Sequence, residues 1–164
     1  MGMTAAFVVV SDAELDRINA GNEDVRALFH RQLRSRDSSA CLDIDKSWAG
    51  IHYLLTGSQW GGKPPHSVPI LGGTEVGGDL GYGPARLLQP NEVAEASALL
   101  ASLPVSELKR KFNPNAMAEA DIYPNVWAEE GEESFEYLAH WYVELQKFYA
   151  SAAQAKHGML LAII

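Results

Sequence analysis

Eight of the 14 glycines in this 164-residue chain lie between Gly61 and Gly83, and no other feature of the sequence constrains the fold as strongly. Each glycine inside a helix costs about 1 kcal/mol relative to alanine, and prolines interrupt the same stretch. We therefore predict no helix there. The apolar residues 68–71 predict a short strand followed by an irregular loop, and residues 86–88 predict a second short strand.

The segments on either side carry regular patterns. Residues 5–10 and residues 159–164 are short apolar runs, and both are predicted to be buried strands. Residues 46–56 predict a helix that turns Trp48, Ile51 and Leu55 toward the core. These three side chains are expected to be buried together with the C-terminal strand or helix.

The longest helix is predicted near the C-terminus, at residues 134–155, where apolar residues repeat at spacings of three and four. Other helices are predicted to follow the first strand and to start at Pro90. No linker divides the chain. The predicted fold is therefore a single α+β domain over residues 1–164, in which a small mixed or antiparallel sheet packs against several helices.

Charge and cysteine content limit the possible partners. The chain has 13 Lys and Arg residues against 21 Asp and Glu residues, a formal net charge of −8. A surface of this sign repels nucleic acids and anionic membranes, so neither is expected as a partner. With Cys41 as its one cysteine and no N-terminal leader or long apolar run, the chain is expected to be cytoplasmic. The oligomeric state does not follow from the sequence.

Several segments together resemble the YfbM-like family of bacterial proteins, described as a domain of unknown function. They are Leu42-Asp43-Ile44-Asp45-Lys46-Ser47-Trp48, Ile51-His52-Tyr53-Leu54-Leu55-Thr56-Gly57, Leu71-Gly72-Gly73-Thr74-Glu75, Asp79-Leu80-Gly81-Tyr82-Gly83-Pro84-Ala85-Arg86, and Ile122-Tyr123-Pro124 with Trp127. The resemblance covers nearly the whole chain. It implies a compact α+β domain and no particular reaction.

The richest polar cluster is Thr74, Glu75, Asp79, Tyr82 and Arg86, in and beside the glycine-rich stretch. In a binding loop, glycines let the backbone approach a ligand that the charged side chains recognise. Alternatively, Tyr82 and Arg86 only anchor the loop, with Arg86 paired to Asp79 or Glu75. In both interpretations Arg86 is expected to form an ion pair inside the domain. Neither of the common glycine-rich phosphate-binding patterns is present.

His52 is the second candidate, and it lies beside Trp48, which is also a candidate ligand-binding residue, on the apolar edge of its helix. It could act as a general base oriented by Asp43 or Asp45, or it could be a core-edge histidine whose ring is hydrogen-bonded. A third group, on the last helix, has the spacing of metal ligands but lacks a further ligand from another element. It consists of Glu136, His140 and Glu144. No metal and no cofactor are therefore predicted.

Two functional hypotheses follow. In the first, the chain is a non-enzymatic binding domain that recognises a protein through the glycine-rich loop 72–86 and the acidic surface. In the second, a pocket formed by His52, Glu75, Asp79, Tyr82 and Arg86 binds a small molecule or performs a reaction. The first is preferred because no catalytic motif is present.

Overall fold

A computed structural model describes residues 2–164, which form one five-stranded antiparallel sheet with helices on both faces. The strand order is β2-β1-β5-β4-β3. The strands are β1 (Ala5–Val10), β2 (Cys41–Asp43), β3 (Thr74–Asp79), β4 (Pro84–Leu88) and β5 (Gly158–Ile163). The predicted class, a single α+β domain, is confirmed.

The helices account for most of the remaining chain. They are α1 (Asp12–Asn19), α2 (Val25–Ser35), α3 (Trp48–Thr56), α4 (Val68–Leu71), α5 (Pro90–Ser102), α6 (Val105–Lys111), α7 (Pro114–Glu119), α8 (Trp127–Glu130) and α9 (Ser134–Gln154). Short 3-10 turns at Asp45–Ser47 and Gly131–Glu133 precede α3 and α9. Among the described residues, we find no helix with the length and apolar character required to cross a membrane.

The strands β1 and β5 form the centre of the sheet, and they pair from Ala5 opposite Ile163 to Val10 opposite Gly158. All six residues of β5 are buried, as expected for an apolar strand with helices over both of its faces. Phe7 and Leu161, which are register partners, belong to the core under α3, α5 and α9. The opposite face of the sheet packs against α1 and α2.

The predicted burial of the α3 stripe is confirmed. Trp48 and Ile51 are 0% exposed and Leu55 is 4% exposed, and all three share a core with the C-terminal strand. The predicted helix at residues 134–155 is also confirmed as α9. Its Tyr149 hydroxyl donates a 2.8 Å hydrogen bond to the carbonyl oxygen of Pro69, which connects α9 to the short helix α4.

The predicted strand at residues 68–71 is wrong, because this segment is the helix α4. Pro69 lies in the first turn of the helix, where an amide would have no partner within the helix, so the missing amide hydrogen costs no helical hydrogen bond. The amide of Gly72 donates to the carbonyl oxygen of Val68 and closes the turn. An apolar run of four residues does not distinguish a buried strand from a buried helical turn. Here Pro69 and Ile70 are buried in the core.

The stretch after α4, predicted to be an irregular loop, forms the edge strand β3. Its pairing with β4 shifts between Val76 and Asp79, so the strand carries a bulge. Gly77 lies in the bulge with a φ of +73°, which only glycine adopts without strain. Glycine density here produces an irregular edge strand. The three-residue strand β2 also has no clear signal in the sequence.

Candidate binding site

A cavity of about 170 Å³ opens at the end of the sheet where β3, β4 and β5 lie side by side. Its walls come from these strands, from α4 and from the loop before it. The lining residues are Trp60, Leu71, Glu75, Tyr82, Gly83, Pro84, Arg86, Leu161, Ala162 and Ile163.

The strand register explains why charged side chains lie beside an apolar floor. Glu75 pairs with Arg86 across β3 and β4, and Arg86 pairs with Leu161 across β4 and β5. Residues directly opposite each other in a sheet point to the same face. This is the face on which Leu161 contributes to the main core, so the cavity lies at the margin of that core.

Arg86 forms the ion pair predicted for it. Its Nη2 lies 3.1 Å from Oε1 of Glu75, and its Nη1 donates a 3.3 Å hydrogen bond to the carbonyl oxygen of Gly73. The Glu75 side chain is 59% exposed and that of Arg86 is 34% exposed, so the pair adds at most about 1 kcal/mol to stability. Its main effect is to hold the guanidinium at the wall of the cavity.

Asp79 organises the turn that presents Tyr82. Its Oδ1 accepts hydrogen bonds from the amides of Gly81 at 2.6 Å and Gly83 at 3.2 Å. These bonds stabilise the charged carboxylate and lower the pKa of Asp79. Tyr82 itself is 54% exposed and lines the cavity. Thr74 is exposed on β3, and neither it nor Asp79 lines the cavity.

Trp60, which was not among the predicted site residues, forms another wall of the cavity. It is 55% exposed, and its ring lies over that of Trp48 with centroids 4.9 Å apart. Trp60 and Tyr82 are the large hydrophobic side chains that stand exposed among residues 2–164, and both line this cavity. The signal was present in the sequence, as a tryptophan in a polar, glycine-flanked loop with no apolar partner at helical spacing.

The other two predicted site residues lie behind the cavity. Trp48 is 0% exposed, and its Nε1 donates a 3.2 Å hydrogen bond to the carbonyl oxygen of Met3. His52 is also 0% exposed, and its Nε2 lies 2.7 Å from the carbonyl oxygen of Gly61. Neither side chain lines the cavity.

His52 is not paired with a carboxylate. Its Nδ1 is buried without a hydrogen-bond partner among the described residues, and burial lowers the pKa of the imidazole. Asp43 instead accepts a hydrogen bond from the amide of Asp45, whose own carboxylate accepts one from Tyr137. Both carboxylates therefore bind other groups, and neither of them orients His52 as a general base would require.

Other polar groups are engaged in local contacts. Burial raises the pKa of the Cys41 thiol, which lies 3.4 Å from the carbonyl oxygen of Asp37. Among residues 2–164, no group of three His, Cys, Asp or Glu side chains could hold a metal ion, and this includes the triplet on α9. A second depression of about 330 Å³ lies beside Asp45 and Trp127, but that indole is 1% exposed and donates to Ile122.

Comparisons with known proteins agree on the family. The family model described as domain of unknown function DUF1877 matches residues 1–162. Protein YfbM of Escherichia coli (strain K12) is 29% identical over 131 residues, which are 77% of this chain and 75% of that protein. The crystal structure of YfbM from Escherichia coli, described as a protein of unknown function, superposes with a TM-score of 0.74 at 23% identity. The superposition covers 99% of this chain and 100% of that one. At 23% identity, this likeness shows a shared fold alone.

Proposed function

We propose that this chain, which belongs to the domain of unknown function family DUF1877, is a non-enzymatic binding domain for a protein partner. Its binding surface would be the aromatic recess, by which we mean the cavity walled by Trp60, Tyr82, Arg86 and Glu75 over the floor Leu161–Ile163. The observation that carries this proposal is that Trp60 and Tyr82, both more than half exposed, line one cavity together with an arginine.

The residue types support binding to protein. Tryptophan, tyrosine and arginine are the three types most enriched among the residues that dominate protein interfaces. A tryptophan left 55% exposed and a tyrosine left 54% exposed offer apolar area that a partner would remove from water. Arg86, held by Glu75, adds hydrogen-bond donors that are already oriented.

The size of the recess favours a side chain of a partner over a free small molecule. Sites for small molecules and cofactors usually measure roughly 300–1,000 Å³, and this cavity measures about 170 Å³. That volume suits one apolar side chain carried on a peptide segment. The alternative pocket would also need His52 and Asp79, and neither is among the lining residues.

Charge suggests the type of partner. With a net charge of −8, the domain would associate faster with a basic protein than with an acidic one. Glu75 and Asp79 place acidic groups beside the recess, so we expect a basic residue to flank the apolar side chain that enters it. The cytoplasmic location expected from the sequence remains a prediction.

A peptide library displayed on phage, selected on the wild-type chain, would test the proposal. Counter-selection on a Trp60→Ala/Tyr82→Ala double variant removes peptides that bind elsewhere. We expect surviving peptides to carry an apolar residue next to Lys or Arg, and to bind the double variant at least about tenfold more weakly. If selected peptides bind both proteins equally, or prefer acidic sequences, the proposal is wrong.

A further inference from the structure

The loop between α3 and α4 determines where Trp60 lies, and we call its residues 57–63 the anchor loop. Trp60 is at its centre, 55% exposed and outside any helix or strand. An exposed side chain on an irregular loop is normally mobile, and a mobile wall would make a poor binding recess. The contacts that hold this loop therefore decide whether the recess exists.

His52 holds the loop from inside the core. Because a carbonyl oxygen only accepts, the 2.7 Å contact requires the proton on Nε2, which donates to the oxygen of Gly61, the residue after Trp60. The imidazole is 0% exposed, whereas Gly61 is exposed. A rigid side chain rooted in α3 thus reaches outward to the backbone beside Trp60.

Thr56 and Ser58 shape the rest of the anchor loop. The Thr56 hydroxyl lies 2.9 Å from the carbonyl oxygen of Ser58, and the Ser58 hydroxyl accepts a 3.1 Å hydrogen bond from the amide of Gly61. Gly62 has a φ of +105°, and a Cβ there would lie 2.6 Å from Cβ of Thr56. The loop therefore packs directly on the end of α3 and tolerates no side chain at this glycine.

Trp48 supports the Trp60 ring from below. The two ring centroids are 4.9 Å apart with an interplanar angle of 54°. Trp48 is itself held by its hydrogen bond to Met3 and by stacking on Tyr123 at 6.0 Å. Trp60 is thus held between an aromatic support and a hydrogen-bonded backbone.

We propose that His52 is a positioning residue for the aromatic recess: its Nε2–H···O=C bond to Gly61 holds Trp60 over Trp48, although His52 itself touches no ligand. This inference rests on the proposed function of the recess. A purely apolar residue would fill the same core site without leaving an unpartnered Nδ1, which costs stability. The histidine supplies a donor that an apolar residue lacks.

Three substitutions separate this role from a packing role. The amide nitrogen of glutamine lies near the position of histidine Nε2, and that of asparagine near Nδ1. His52→Gln therefore keeps a donor for Gly61, whereas His52→Asn and His52→Leu do not. The signal of Trp60 is the coupling between its indole and that of Trp48, seen as an exciton couplet in far-ultraviolet circular dichroism and identified by its loss in Trp60→Phe.

We expect His52→Leu and His52→Asn to lose the couplet and to expose Trp60 further to acrylamide quenching, with His52→Gln retaining both wild-type signals. A folded His52→Leu protein that keeps the couplet, or a His52→Gln protein that loses it, would overturn the proposal. If His52→Leu does not fold, His52→Asn carries the test, and Gly62→Ala, whose Cβ would meet Thr56 at the end of α3, displaces the same loop and must also lose the couplet.

A peptide selected on the wild-type chain then links position to binding. Its affinity should fall in His52→Leu by about the same factor as in Trp60→Ala, and should stay near wild type in His52→Gln. If the couplet is lost while peptide affinity is unchanged, the proposed function of the recess is wrong, although the role of the hydrogen bond from His52 to Gly61 is supported. The two ideas therefore fail by different results.

Discussion

Removing one hydroxyl, in Tyr149→Phe, tests whether α9 holds α4 against the sheet. Tyr149 is 0% exposed, and its hydroxyl donates a 2.8 Å hydrogen bond to the carbonyl oxygen of Pro69. Burial raises the pKa of this phenol, so it remains a protonated donor at neutral pH. The edge-to-face contact with Phe7, at 6.2 Å between ring centroids, is retained by phenylalanine. The substitution thus removes the hydrogen bond and little else.

The stability cost comes from the carbonyl oxygen of Pro69, which the substitution leaves without its hydrogen-bond donor. A buried carbonyl that loses its partner costs about 1–3 kcal/mol. Unfolding entropy is about 2.1 cal/mol/K per residue, or about 0.34 kcal/mol/K for a chain of 164 residues. We therefore expect Tm to fall by about 3–9 °C, measured by calorimetry, with a matching drop in the urea midpoint.

Tyr82→Phe is the matched control, since that tyrosine is 54% exposed and its hydroxyl has no hydrogen-bond partner among the described residues. We expect its Tm to change by less than about 2 °C. Equal stability of the two variants would refute the reasoning, because it would mean that the Pro69 carbonyl does not depend on Tyr149.

Three further predictions concern other parts of the chain. Burial lowers the pKa of His52 from its ordinary value of 6.5, so the unfolded state takes up a proton first as pH falls. The stabilisation from the neutral imidazole is therefore fully present above about pH 6.5 and is lost as the pH falls below that value. In urea denaturation, the free energy of unfolding of His52→Gln should fall less between neutral and acidic pH than that of the wild-type chain. Gly50→Ala places a Cβ 2.8 Å from both Leu138 and Trp127; overpacking of about 1–3 kcal/mol should outweigh the helix-propensity gain of about 1 kcal/mol, and a more stable variant would contradict this. Asp79→Ala removes the acceptor for the amides of the β3–β4 turn, so those amides should exchange hydrogen faster than in Asp79→Asn, which keeps an oxygen there.

The elements that could be predicted from the sequence are those whose pattern is local. The apolar runs of β1 and β5 and the long stripe of α9 each have a length and period that suit one structure, and each is present. The prediction for Val68–Leu71 was wrong because four apolar residues fit both a strand and a helical turn. Only its position under Tyr149 decides between them, and that is a tertiary contact.

The candidate site shows the same contrast between local sequence patterns and tertiary contacts. Glu75, Tyr82 and Arg86 were grouped correctly as neighbours because one hairpin carries them all. The polar, glycine-flanked loop of Trp60 indicates only that this side chain is exposed, whereas its position beside the recess depends on contacts with Trp48 and His52, which no spacing in the sequence reports. The helix phase of α3 placed His52 beside the core, but it gave no indication that the ring points to Gly61.

Amide chemical-shift mapping of the chain with a selected peptide would show whether partners bind at the aromatic recess. We expect the largest shifts at the Trp60 indole, in residues 82–86 and in residues 161–163, with little change in α1 and α2 on the opposite face. Shifts concentrated on α1 and α2, with the Trp60 indole unmoved at saturation, would contradict it.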